Sequence, residues 1–85
     1  MPEISRFFGI AIALAYEPNQ PPRFIAYAGE HAIAVEIETG IVSGRFPPRA
    51  LGLVLEWRHR HVEALRDNWL RAGAHHPLYA VPPLE

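Results

Sequence analysis

The chain has no cysteine and no lysine, a single methionine and no long apolar run. Each absence closes a class of function. Without cysteine there is no disulfide framework, no thiolate metal site and no thiol nucleophile. That usage fits a reducing compartment. The most apolar stretch, FFGIAIALAY at residues 7–16, is far shorter than the roughly 20 residues a membrane-spanning helix needs. It also lacks the basic flank and cleavage pattern of a secretory signal. We therefore expect a cytoplasmic protein that does not engage a membrane. An excess of one charge sign is missing too: eight basic and nine acidic residues leave a formal net charge of -1. Nucleic-acid binding usually brings a basic excess, so composition does not require such a partner. All eight positive charges are arginine, the side chain suited to planar, bidentate contact with carboxylate or phosphate.

What is present points to one domain over residues 1–85. A chain of this size buries only about two-thirds of its unfolded surface, so self-association or a partner would add useful burial. Nine prolines and six glycines cut the sequence into segments. Ile10, Ile12 and Leu14 alternate with Ala11, Ala13 and Ala15, which predicts one strand from Ile4 to Tyr16. Arg23–Ala28 forms the second strand, the Gly29-Glu30 turn leads into the third (His31–Glu38), and Thr39-Gly40 leads into the fourth (Ile41–Phe46). Beyond Pro47-Pro48 the period becomes helical, with Leu51, Leu55, Val62, Leu65, Trp69 and Ala72 on one stripe and Arg58 as its polar interruption. The predicted fold is α+β: a four-stranded antiparallel meander over residues 4–46, one long amphipathic helix over 48–73, and an extended proline-rich tail over 74–85. Such a helix bends near His59–His61 or overhangs the sheet.

The strand phases predict a bulky face of Ile10, Ile12, Leu14, Ile33, Val35 and Ile37 under the helix. The opposite face carries Ala11, Ala13, Ala15, Ala32 and Ala34. Alanine is a poor strand former, and small side chains admit close approach of another element. Two readings stand: a contact surface for a second chain, or a tolerant exposed face. Trp57 falls off the helical stripe and is expected at the sheet edge or against a partner.

Chemistry is sparse. His59 and His61 are two apart on a helix and point different ways, and His75-His76 sits in the tail, so no metal or cofactor is expected. His31 begins a strand in phase with Ile33 and reads as a half-buried structural residue. Glu36 and Glu38 share a strand face, where solvated glutamates are the default. The two serines lack a nucleophile-elbow context. Arg6, Arg23, Arg45 and Arg49 are candidates for an anion or RNA-phosphate patch; the alternative is pairing with Glu3, Glu30, Glu36 and Glu38 in solvent.

The opening Met1-Pro2-Glu3-Ile4-Ser5-Arg6-Phe7-Phe8-Gly9-Ile10 resembles the start of the bacterial domain of unknown function 4160 family. So do Asn19-Gln20-Pro21-Pro22, Gly29-Glu30 and Ile37-Glu38-Thr39-Gly40. The step into Leu53-Val54-Leu55-Glu56-Trp57, the Asn68-Trp69 pair and the closing Pro83-Leu84-Glu85 are similar as well. The resemblance implies a small prokaryotic protein whose gene often neighbours that of a second small protein, domain of unknown function 2442, in a toxin–antitoxin-like pair. Where the family commonly carries His-Phe-His, this chain has Arg23-Phe24-Ile25, so any chemistry resting on that histidine pair is lost or moved to Arg23 and His31. We expect an interaction component of such a module, bound to the neighbouring gene's product or to itself as a homodimer. The alternative is a minimal RNA-acting toxin with a site around Arg6, Arg23, His31 and Arg49.

Overall fold

Period-two alternation of bulky and small side chains folds the first half of the chain into five antiparallel strands. The computed structural model describes residues 2–85; Met1, the first residue of the expected domain and of the family-like opening, lies outside the described residues. The strands are β1 (Glu3–Phe7), β2 (Ile10–Ala13), β3 (Arg23–Ala28), β4 (His31–Glu36) and β5 (Val42–Gly44), in spatial order β1-β2-β3-β4-β5. The meander is as expected, but it has five strands rather than four. The predicted first strand is a hairpin that reverses at Phe8-Gly9, with φ of 49° and 77°. Two successive positive φ values match the twist of a tight hairpin. Glycine adopts that conformation freely, whereas a bulky phenylalanine does so against its preference. Strands β4 and β5 are also shorter than expected.

The single predicted helix is two: α1 (Pro48–Arg60) and α2 (Val62–Gly73), separated at His61 with φ -126° and ψ 24°. His61 N–H still donates to the Trp57 and Arg58 carbonyls, and Leu65 N–H donates to His61 O at 3.0 Å, so the break is a kink of one residue. The kink keeps the helical pair within the length of the fold. Continuous helix over 48–73 would run about 39 Å, longer than the 34 Å maximal extent of the chain's Cα atoms. Of the two sequence-based alternatives, the bend is the one found.

The predicted bulky face is the core. Ile10, Ile12, Leu14, Ile33, Val35 and Ile37 are each at most 2% exposed, and Val54, Trp57, Leu65 and Trp69 come down on them from the helices. Arg58 is no flaw in the stripe: its Nε and Nη2 donate to Ile37 O at 3.0 and 2.8 Å, satisfying a carbonyl left open just past β4. Gly40, at φ 78°, lies under that guanidinium.

Residues 76–85 carry no regular secondary structure, yet they are docked. Val81 N–H donates to Ile4 O at 2.8 Å, Trp57 Nε1 donates to Pro82 O at 2.9 Å, and Val81 and Leu84 are buried. The tail thereby covers the outer edge of β1, an edge already broken by an irregularity between Glu3 and Ser5.

Candidate interaction face

Register decides which side chains share the face away from the helices. One row runs Arg6, Ala11, Tyr27, Ala32, a second Ala13, Ile25, Ala34, Ser43, and Arg23 stands opposite Glu36 beyond them. Ala32 is exposed, and Ala11, Ile25, Tyr27 and Ala34 are half-buried. Both helices lie on the other face. Gln20 and Pro21 overhang one end, where they line a depression of about 250 Å³ with Arg23, Ala34, Glu36, Ile41 and Ser43.

Three of the five alanines predicted for this face, Ala11, Ala32 and Ala34, stand on it with accessible surface. Ala13 is in the right row but only 5% exposed. Ala15 lies beyond the end of β2 and borders a depression on the helical side with Tyr16, Ala72 and Leu78. Trp57 needs the larger correction. It is fully buried between Phe7 and Phe24, with ring centroids 5.6 and 5.5 Å away. The α1 half of the stripe is centred on Val54 and Trp57, not on Leu51 and Leu55, so Trp57 is core and unavailable to a partner. Ile25 and Tyr27 join the alanines on this face. The alternation of Phe24 and Ala26 with Ile25 and Tyr27 along β3 is the signal that places them there.

The four candidate arginines do not converge. Arg6 is exposed and holds Glu3 through two hydrogen bonds of 3.0 and 2.7 Å; that bonding lowers the Glu3 pKa and raises that of Arg6. Arg23 donates to Gln20 Oε1 at 2.8 Å and approaches Glu17 Oε1 at 3.5 Å, while its Nε is buried without a partner. Arg45 and Arg49 have no ion-pair or hydrogen-bond partner among the described residues. Arg23 pairs with Glu36 at one end of the β3–β4 hairpin and His31 with Ala28 at the other, roughly 17 Å apart by strand rise. An arginine–histidine site built on these two is not assembled. His31 is also exposed rather than half-buried, at the first position of β4 beside the Gly29-Glu30 turn.

The glutamates also part company. Glu36 accepts from the Thr39 hydroxyl at 3.0 Å. Glu38 is gripped by Arg66 of α2 at 2.7–3.0 Å, which lowers the Glu38 pKa and raises that of Arg66; Arg66 also contacts Glu63. This carboxylate is a tether from sheet to helix, not half of an acid–base pair. His61 sits half-buried at the kink against Trp57, centroids 5.6 Å apart. Burial first, and Arg60 second, push its pKa below the ordinary histidine value. Among the described residues no three His, Asp or Glu side chains stand together as a metal site, and no helix is long and apolar enough to cross a membrane.

A family model described as Domain of unknown function (DUF4160) matches residues 9–70, from the β1–β2 turn nearly to the end of α2. No curated protein and no solved structure matches the chain.

Proposed function

We propose that this chain, which belongs to the family described as Domain of unknown function (DUF4160), is a cytoplasmic protein-interaction component of a toxin–antitoxin-like module, acting through the open face of its sheet. One contrast carries this reading. The helix-covered face is closed by Ile, Val, Leu and Trp side chains, while the opposite face is built from Ala11, Ala32 and Ala34 around Ile25 and Tyr27. Small residues let a partner backbone come close, and the larger pair supplies apolar area to bury. Arg6, Arg23 and Glu36 supply a polar rim. The partner is the product of the neighbouring gene.

The test is co-expression of the tagged chain with that product. Co-purification is expected, and the Ala32→Arg/Ala34→Arg variant, checked for native circular dichroism, should lose it. No co-purification by the parent chain overturns the reading. The RNA-acting alternative now rests on the two unpartnered arginines, Arg45 and Arg49, without Arg23 and His31 beside each other. Growth arrest by the chain alone, relieved by Arg49→Ala, would favour it instead.

A further inference from the structure

The end of the sheet remote from Arg23 carries an apolar surface that the open face does not explain. Phe8 is 65% exposed at the tip of the β1–β2 hairpin, at a positive φ disfavoured for a bulky side chain. Asparagine or glycine would make the same turn without that strain and without exposing a phenyl ring. The ring is braced edge-on by Phe7, centroids 6.4 Å apart at 85°, and Phe7 in turn packs on Trp57. Beside it opens a cleft of about 360 Å³ between the turn and α1, lined by Phe8, Ile10, Pro47, Arg49, Ala50 and Leu53.

Knob and hole are neighbours on one patch. Phe8 of one copy can fill the cleft of a second while receiving the second copy's Phe8 in its own. That exchange closes under a twofold axis, whereas a knob and hole on opposite sides would build an open filament. The charges agree. Arg49 lines the cleft and Arg45 lies just before α1, both unpartnered among the described residues; Glu30, in the β3–β4 turn at the same end of the sheet, is unpartnered too. An inserted phenyl ring gives Arg49 a cation–π partner, and Glu30 brings the countercharge for the arginines of the other copy. We propose that a second copy of this chain occupies the cleft, forming an isologous dimer through the Phe8 knob and the Ile10–Leu53 hole. The dimer uses the end of the sheet and leaves the open face free, so it does not depend on the function proposed above.

Sedimentation equilibrium from micromolar to submillimolar concentration tests it. The parent chain should populate a dimer. Phe8→Asn should raise the dissociation constant at least about tenfold, with the thermal midpoint of the dilute monomer unchanged or higher because asparagine tolerates the turn. Arg49→Glu should weaken the dimer, and adding Glu30→Arg should restore part of it. A parent chain that stays monomeric throughout, or a Phe8→Asn variant that dimerises as tightly, overturns the proposal. Capture of the neighbouring-gene product by Phe8→Asn, and an intact dimer in Ala32→Arg/Ala34→Arg, would show that the two surfaces stand or fall separately.

Discussion

Asn68 holds the tail onto the body. It is 1% exposed; its Nδ2 donates to Tyr79 O at 2.9 Å, and its Oδ1 accepts from Tyr79 N at 2.8 Å. One amide thus imitates one rung of a β-ladder. Asn68→Ala strands both backbone groups of Tyr79 and leaves a void at a buried site. A stranded backbone group costs about 1–3 kcal/mol. Tyr79 is 58% exposed as a residue, so water can reach it and the low end applies to each group. With the void, we expect a loss of about 2–3 kcal/mol. A domain of this length holds about 4–13 kcal/mol at 0.05–0.15 kcal/mol per residue, so the loss is a large share of the total. The midpoint should fall by about 10–20 °C.

Urea unfolding followed by the fluorescence of the buried Trp57 and Trp69 reads this loss directly, and amide exchange at Val81, which donates to Ile4 O, reads the tail locally. Val81 should exchange faster in the variant. Asn68→Asp sharpens the test. A carboxylate there still accepts from Tyr79 N–H but faces the Tyr79 carbonyl with no proton to give, so its folded pKa should lie above its unfolded value. Stability should therefore be recovered as the pH falls, when the protonated acid donates to Tyr79 O, and lost as the pH rises. A loss below about 0.5 kcal/mol for Asn68→Ala, or unchanged Val81 protection, would refute the latch.

Two further predictions rest on other elements. Burial first, and Arg60 second, lower the His61 pKa, so the unfolded chain protonates first on acidification; stability should be full above the ordinary histidine pKa and decline as the pH falls through it, and His61→Gln should flatten that decline in urea titrations across the interval. Gly73→Ala would normally favour a helix by about 1 kcal/mol, but here the added Cβ would lie 2.9 Å from the Tyr16 ring, which packs on Trp69 at 4.8 Å and is 39% exposed; the ring must shift outward, so the helical gain should be cancelled and the thermal midpoint should stay within a few degrees of the parent, and a variant stabilised by the full ~1 kcal/mol would mean that Tyr16 does not pack there.

How far the sequence discloses the fold follows the range of each interaction. Alternation in Ile33, Val35 and Ile37, and in Ile10, Ile12 and Leu14, is local and repeats, so the core face of the sheet is legible. The Gly29-Glu30 turn is legible for the same reason. The β1–β2 reversal is not, because Phe8 occupies a position where turn chemistry calls for Gly, Asn or Asp. Gly73 ends α2 where the sequence places the helix end, but it does so under the Tyr16 ring, and the left-handed residue comes later, at His75 with φ 59°. The burial of Trp57 is not legible locally, because its indole N–H is satisfied by Pro82 O, 25 residues away. Asn68 has no periodic signal at all: a buried amide on a helix becomes intelligible only when the tail segment that it binds is in place.

The arginines show the same dependence on distant partners, and they limit where function can lie. An all-arginine complement is open to two interpretations in the sequence, outward recognition of anions or bonding within the chain. The structure divides it. Arg6, Arg60, Arg66 and Arg71 bond to nearby carboxylates, Arg23 to Gln20 and Glu17, and Arg58 to a backbone carbonyl. The exposed pairs among these contribute little each, but they neutralise most of the side chains that composition offered to a phosphate ligand. Only Arg45 and Arg49 remain uncommitted among the described residues, and both stand at the end of the sheet where Phe8 and its cleft are found. Free cations, a free carboxylate and an exposed aromatic ring thus lie at one end of the sheet, and the second copy proposed for the Phe8 cleft would bring the matching features to each.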